Sequence, residues 1–275
     1  MGQGPAGLLH LPRPVALRRG LAAPGHRTGS RPQAGRDVAL SHTSSALEHD
    51  LRLWDVDLDR VHVTRLDAGA GRTECGVVHH VGLTLASDLV ERRGTLLTHP
   101  ARAAIETASL TTTESGLVTL DSALQLQLCT REELDATYAL MEHWPGLQRV
   151  RIVVRLADGG AQSVGESRTR YLCFTQGLPA PQLQYEVRDA GGSLVGTTDF
   201  AWPELGLLGE FDGKVKYCRL LRDGEEPGDA VFREKVREDL LREATGWTMI
   251  RFVWADLYRP GATASRIRRI LRVAA

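Results

Sequence analysis

Lys plus Arg equals Asp plus Glu at 34 each, so the chain lacks the global basic field that holds nucleic acid without local contacts. It also lacks any run near the roughly 20 apolar residues that a membrane-crossing helix needs, because Arg, Asp or Glu interrupts its longest apolar stretches. Membrane spans are therefore not expected. Leu8 and Leu9 run straight into His10, Pro12 and Arg13, which leaves no signal-peptide apolar region and makes a cytoplasmic location the expectation. Cys75, Cys129, Cys173 and Cys218 stand far apart without a Cys-x-x-Cys pair, which disfavours a zinc site and a secreted disulfide framework. They are expected to be reduced core thiols. No histidine follows His143, so the C-terminal region has no histidine base.

What is present is enough for one large domain or two ordinary ones, at 275 residues and 42% hydrophobic content. Residues 1–37 carry Gly or Pro at about every third position, six arginines and no acidic residue before Asp37, which predicts a disordered or degraded segment. Periodicity begins at Val38. Ser41 can cap a helix through Leu47, and Val61-His62-Val63 and Val77-Val78 look like strands around a Gly-rich turn at 69–71. Pro100 to Ala108 and Arg131 to Met141 read as helices, the second opened by Thr130 with Glu133 at capping-box spacing. Residues 38–160 are thus a small mixed α/β region.

From residue 161 the signals sharpen. Ser163 and Glu166 also have capping-box spacing, and that helix runs to Gly177. Leu183 to Val187, Leu194 to Phe200 and Leu205 to Asp212 read as strands, Val231 to Ala244 as a helix, Trp247 to Trp254 as a buried strand and Ala262 to Val273 as a basic helix. The order αβββαβα predicts a mixed sheet in the α/β class, a three-stranded meander followed by a helical crossover to a further strand.

Within that sheet, Glu210-Phe211-Asp212 puts two carboxylates on one face, because strand side chains alternate. Like charges side by side need a compensating cation, and hard divalent metals such as Mg2+ prefer carboxylate oxygens. Asp199, across the Trp202-Pro203 turn, can reach the position opposite Glu210. Lys214 shares the face of Asp212 unless Gly213 bulges the strand, and could stabilise developing phosphate charge. Asp199, Glu210 and Asp212 are the candidate ligands of Mg2+ or Mn2+, with Glu166 and Lys214 completing a catalytic set. Each has an alternative: Glu166 closes the capping box, Asp212-Gly213 forms a turn, and Arg266, Arg268, Arg269 and Arg272 are either a solvated helix face or a DNA contact. For His42, His79 and His80, which lack metal-ligand spacing, capping or interior roles are expected.

The arrangement Asp199-x10-Glu210-x-Asp212, preceded by helical Glu166 in αβββαβ order, resembles the PD-(D/E)XK nuclease superfamily. More narrowly, Gly177-Leu178-Pro179-Ala180-Pro181, Thr198-Asp199-Phe200-Ala201-Trp202-Pro203-Glu204, Glu210-Phe211-Asp212-Gly213 and Gly246-Trp247 look like the actinobacterial branch related to very-short-patch repair endonucleases. The resemblance implies a restriction-endonuclease-like domain over 161–275, with Asp199 as the motif aspartate and Glu210 as the second acidic residue. Asp212 stands at the usual Lys position, and Lys214, Lys216 or Lys235 is implied as the substitute cation. Leu40-Ser41-His42-Thr43-Ser44-Ser45-Ala46, Val61-His62-Val63-Thr64-Arg65 and Thr98-His99-Pro100-Ala101-Arg102 resemble AbiEi-type antitoxin relatives, although residues 1–37 lack the amphipathic helix pair of their winged helix. Two functions follow from the resemblances. One is a Mg2+-dependent endonuclease acting on nucleic acid, DNA above all; the other is a non-catalytic antitoxin-like regulator that binds DNA or a cognate toxin.

Overall fold

A computed structural model describes residues 37–213 and 227–274 of the chain. The segment expected to be disordered, apart from Asp37, lies outside the described residues, as do Lys214, Lys216 and Cys218. The fold is mixed α/β with two mixed sheets.

The first sheet is built from short strands: β1 (Val38–Leu40), β2 (Val61–Arg65), β3 (Arg72–Glu74), β4 (Val77–His80), β5 (Leu89–Arg92) and β6 (Thr95–Thr98), in the order β3-β4-β2-β1-β6-β5. The Gly-rich turn at 69–71 leads into β3 instead of joining β2 to β4 directly. β2 and β4 therefore run parallel, with Val61 beside Val77 and Thr64 beside His80. Helix α1 (His42–Glu48) follows β1, but Ser41 makes no side-chain cap because its hydroxyl meets His42 Nδ1 at 2.9 Å instead. α2 (Pro100–Leu110), α3 (Thr113–Gln125), α4 (Arg131–Met141) and α5 (Val150–Leu156) pack through a core of mostly small and branched residues, including Ala104, Ile105, Leu120, Leu134 and Val153. The capping box of α4 forms as its spacing dictates, with Glu133 N to Thr130 Oγ1 at 3.1 Å and Thr130 N to Glu133 Oε2 at 2.8 Å.

In the C-terminal half the predicted order is observed. Helix α6 (Val164–Thr175) is opened by the Ser163 hydroxyl and closed at Gly177, whose φ of +61° places it in the left-handed region that favours glycine. Then come β7 (Gln182–Arg188), β8 (Leu194–Trp202) and β9 (Leu207–Phe211), joined as an antiparallel meander. Helix α7 (Pro227–Thr245) crosses back to β10 (Thr248–Phe252), which lies parallel to β9. The sheet order β10-β9-β8-β7 follows. A short α8 (Trp254–Leu257) and α9 (Pro260–Ala274) complete the chain. One sheet face packs Phe200, Phe211 and Phe252 against Leu172 of α6 and Ile267 of α9; the other packs Ala201, Leu208 and Met249 against Leu241 of α7. Buried Arg168 of α6 pairs with Glu114 of α3 at 2.7 Å and stacks on Trp54, tying the helical core to this sheet's helices.

Cys129 and Cys173 are buried free thiols as expected, whereas Cys75 is exposed in the β3–β4 turn, where little chain is available to cover it. No described helix is long and apolar enough to cross a membrane.

Candidate carboxylate site

Alternation along β9 sets Leu208 and Glu210 toward α7 and Leu207 and Phe211 toward α6 and α9. Arg251 of β10 is the register partner of Glu210, so it stands beside that carboxylate on the α7 face. Asp199 lies one step beyond the last paired residues of the hairpin, Phe200 and Gly209, which brings it beside Glu210. Asp212 follows the strand, its amide continuing the ladder to the Phe252 carbonyl at 2.8 Å. Asp199 thus stands on β8, Glu210 on β9 and Asp212 just after it.

The compensating charges come from arginine. Glu210, only 8% exposed, accepts from Nη1 of Arg237 on α7 at 2.7 Å, and the same guanidinium donates through Nη2 to the Thr197 carbonyl at 2.5 Å. Arg251 lies 3.9 Å from both Glu210 and Asp212 and donates to Glu238 of α7 at 2.8 Å. Clustered carboxylates repel one another, and two guanidiniums on the same face relieve that repulsion. No group of three His, Cys, Asp or Glu side chains among the described residues is arranged to hold a metal ion. Lys235, one of the proposed substitute cations, is exposed on α7.

The Asp199 carboxylate has a specific backbone role. Its Oδ2 accepts the Phe211 amide at 2.7 Å, where the β8 backbone has left the ladder. The departure coincides with an irregularity in β7: Gln184, at φ +48°, falls with Asp199 between the Leu183–Phe200 and Tyr185–Thr198 pairs. Leu183 packs toward α6 and Tyr185 toward α7, so alternation is broken at Gln184.

Glu166 lies on α6 and is buried at 4% exposure. It accepts from the Ser163 hydroxyl at 2.7 Å, the Gln162 amide at 2.8 Å and Gln184 Nε2 at 3.2 Å. The bond to the Ser163 amide that a capping box requires is replaced by the bond to Gln162, one residue earlier. Gln184 links Glu166 to the irregular stretch of β7.

Of the terminal arginines, Arg266 donates to the Arg251 carbonyl at 3.0 Å and Arg268 to the Gln176 carbonyl, so both fasten α9 to its neighbours. Sequence reasoning missed Arg237 and Arg251. Arg251 was discoverable, two residues after Met249 in a strand whose partner carries Glu210; Arg237 had no local signal, because its reach depends on how α7 crosses the sheet.

No family profile matches the chain, and no solved structure matches it significantly. Two curated proteins do. Uncharacterized protein MT2308 of Mycobacterium tuberculosis (strain CDC 1551 / Oshkosh) and Uncharacterized protein Rv2248 of Mycobacterium tuberculosis (strain H37Rv) are each 32% identical to it over 242 residues, 86% of this chain and 85% of theirs. At that identity and coverage, the chain belongs to the family of these two mycobacterial proteins.

Proposed function

We propose that residues 161–275 are a restriction-endonuclease-like domain acting on nucleic acid, and that it hydrolyses phosphodiesters with Mg2+ or Mn2+ held by Asp199, Glu210 and Asp212. The observation that carries this reading is the αβββαβ order with all three carboxylates gathered around its central hairpin. In donor chemistry the three side chains suit a hard divalent cation. In the arrangement described they do not form a metal-binding group, and the Arg237 guanidinium occupies Oε1 of Glu210, so binding an ion requires Glu210 to leave Arg237 and the carboxylates to converge. Asp199 is already oriented by the Phe211 amide. When bound, the ion supplies Lewis-acid polarisation of the phosphate and an acidified water. Arg237 and Arg251, released from the carboxylates, offer planar donors to phosphate oxygens, and the resemblance implies a supporting cation from Lys214, Lys216 or Lys235.

A second reading is favoured by the Arg237–Glu210 bond itself and by Asp212 at the usual Lys position. A carboxylate cluster neutralised by built-in arginines keeps its fold without an ion. The domain is then a non-catalytic, AbiEi-type regulator that binds DNA or a cognate toxin.

Thermal melts of wild type and Asp199→Asn, each with EDTA and with excess Mg2+ or Mn2+, separate the two. A ligand at 100 times its Kd stabilises the native state by about 2.7 kcal/mol. For a domain of this size that is a rise of about 5–10 °C. The first reading expects this rise in wild type, its loss in Asp199→Asn, and metal-dependent cleavage of defined DNA or RNA. A metal-insensitive wild type ends the first reading and leaves the second, which a mobility-shift assay on DNA then tests.

A further inference from the structure

Three histidines meet in the N-terminal region, brought together by the parallel pairing of β2 with β4. His62 Nδ1 lies 2.8 Å from His80 Nε2, and the ring of His42 stacks on that of His80 with centroids 3.7 Å apart at 21°. His42 opens α1 at φ +51°, its amide held by Glu106 Oε2 at 3.1 Å. Burial pushes both His42 and His80 down to about 3, so both rings are neutral at pH 7.

This stack borders a cleft of about 240 Å3, whose lining includes Thr64, Arg102, Glu106 and Trp144. Thr64 is 2% exposed, and its hydroxyl has no hydrogen-bond partner among the described residues. The two charged side chains on the lining are fully engaged with each other and their neighbours. Arg102 donates to Glu106 at 2.8 Å, Asp88 at 2.7 Å and the Leu83 carbonyl at 3.0 Å. The remaining oxygen of Glu106 takes the His42 amide and the Thr98 hydroxyl. No charge is left over for an ionic guest. A metal guest does not suit the geometry either, because near-parallel imidazoles send their in-plane lone pairs side by side instead of at one point, and no described group is arranged as a metal site.

The remaining guest is small, flat, neutral and polar at its edge. Drug-sized ligands take up roughly 300–1,000 Å3, so this cleft admits about one small ring system. His42 and His80 cover one face of each other, and the half-buried His80 ring and Trp144, one face of which lies under the Arg102 guanidinium at 5.1 Å, border the cleft. Such faces receive heteroaromatic rings. We propose that this cleft binds a nucleobase, stacked against the histidines and hydrogen-bonded at its edge to the Thr64 hydroxyl. The base comes either from a free base or nucleoside or from an unpaired position in a strand; the recognition chemistry is the same. The site is independent of the carboxylate cluster.

Calorimetric titration of the full chain tests this, with adenine, cytosine, uracil and their nucleosides as one arm, a short mixed-sequence single strand as the second and benzene as the control. Saturable one-to-one binding of at least one base or nucleoside, weakened tenfold or more in Thr64→Val and in Trp144→Ala but unchanged in Asp199→Asn, is the expected result. Thr64→Val keeps the side-chain shape, and an unchanged circular dichroism spectrum and melting temperature show that it folds. If only the single strand binds, with the same dependence on Thr64, the base comes from a strand. The proposal is overturned if neither arm binds at millimolar concentration, if Thr64→Val binds as tightly as wild type, or if benzene binds as well as the bases.

Discussion

Acidification from pH 7 to pH 5 should cost the folded protein about 2 kcal/mol, and the histidine stack sets the sign. Burial, with the charges of His62 and Arg102 behind it, lowers His42 from 6.5 to about 3; burial, with His42 and His62 behind it, lowers His80 to about 3. Unfolded, each ring takes its proton near 6.5. The stability these rings contribute is therefore fully present above 6.5 and is lost as the pH falls toward 3. At about 1.36 kcal/mol per pH unit, each costs about 2 kcal/mol by pH 5. The two do not simply add to about 4, because they titrate as a coupled pair and His80 is partly screened by solvent. Asp121 works the other way. Burial raises it from 3.8 to about 6 despite Arg170 at 2.8 Å, so its contribution is complete below 3.8 and lost as the pH rises through 6. Moving to pH 5 returns about 1 kcal/mol there, leaving the net loss near 2. Urea unfolding at the two pH values measures the difference, and proton NMR of the imidazoles identifies its source. A protein equally or more stable at pH 5, or His42 and His80 resonances titrating above pH 6, would refute the reasoning.

Two substitutions probe the scaffold of the carboxylate site. A Cβ added at Gly165 would lie 2.0 Å from Phe211 Cε1, and neither α6 nor the central strand can easily give way, so Gly165→Ala should destabilise by about 1–3 kcal/mol or more, read from denaturant midpoints. Glu166→Ala removes the acceptors of all three donors, the Gln162 amide and Gln184 Nε2 that share one oxygen and the Ser163 hydroxyl on the other, so it should cost about 1–3 kcal/mol with or without divalent metal; a stability unchanged in EDTA would show that the three bonds contribute nothing.

The second sheet was legible because each of its elements carries a local stop or start. Ser163 with Glu166, Gly177, the Trp202-Pro203 turn and Gly246 mark the boundaries of α6, the β8–β9 hairpin and α7 where the chain observes them, within a few residues. The first sheet was only partly legible. Its strands are three to five residues long, and the pairing of Leu40 with Leu97 is fixed by tertiary packing, not by any local pattern. Helix α3 was missed although Thr112 caps it through Ser115, since a run of polar Thr, Glu, Ser and Gly reads as a loop until its buried Leu117 and Leu120 are seen. The histidine cluster was illegible for the same reason as Arg237: residues 42, 62 and 80 meet through strand register, which spacing alone does not reveal.

One irregularity connects the acidic residues that stood out in the sequence. Gln184 holds a left-handed conformation that costs a non-glycine residue about 1–2 kcal/mol, and the ladder around it is interrupted. On one side, Gln184 reaches Glu166; on the other, the Asp199 carboxylate takes up the Phe211 amide that the β8 backbone no longer meets. The Asp199 carboxylate thus supplies a hydrogen bond that a regular sheet would have made with its own backbone, while Glu166 gathers the Gln162 amide, the Ser163 hydroxyl and the Gln184 side chain. Irregular strands that re-aim side chains occur preferentially beside functional sites. Glu210 continues the same line of residues on β9, one step beyond the Phe200–Gly209 pair, so it is the register of the hairpin that sets Asp199 across from it.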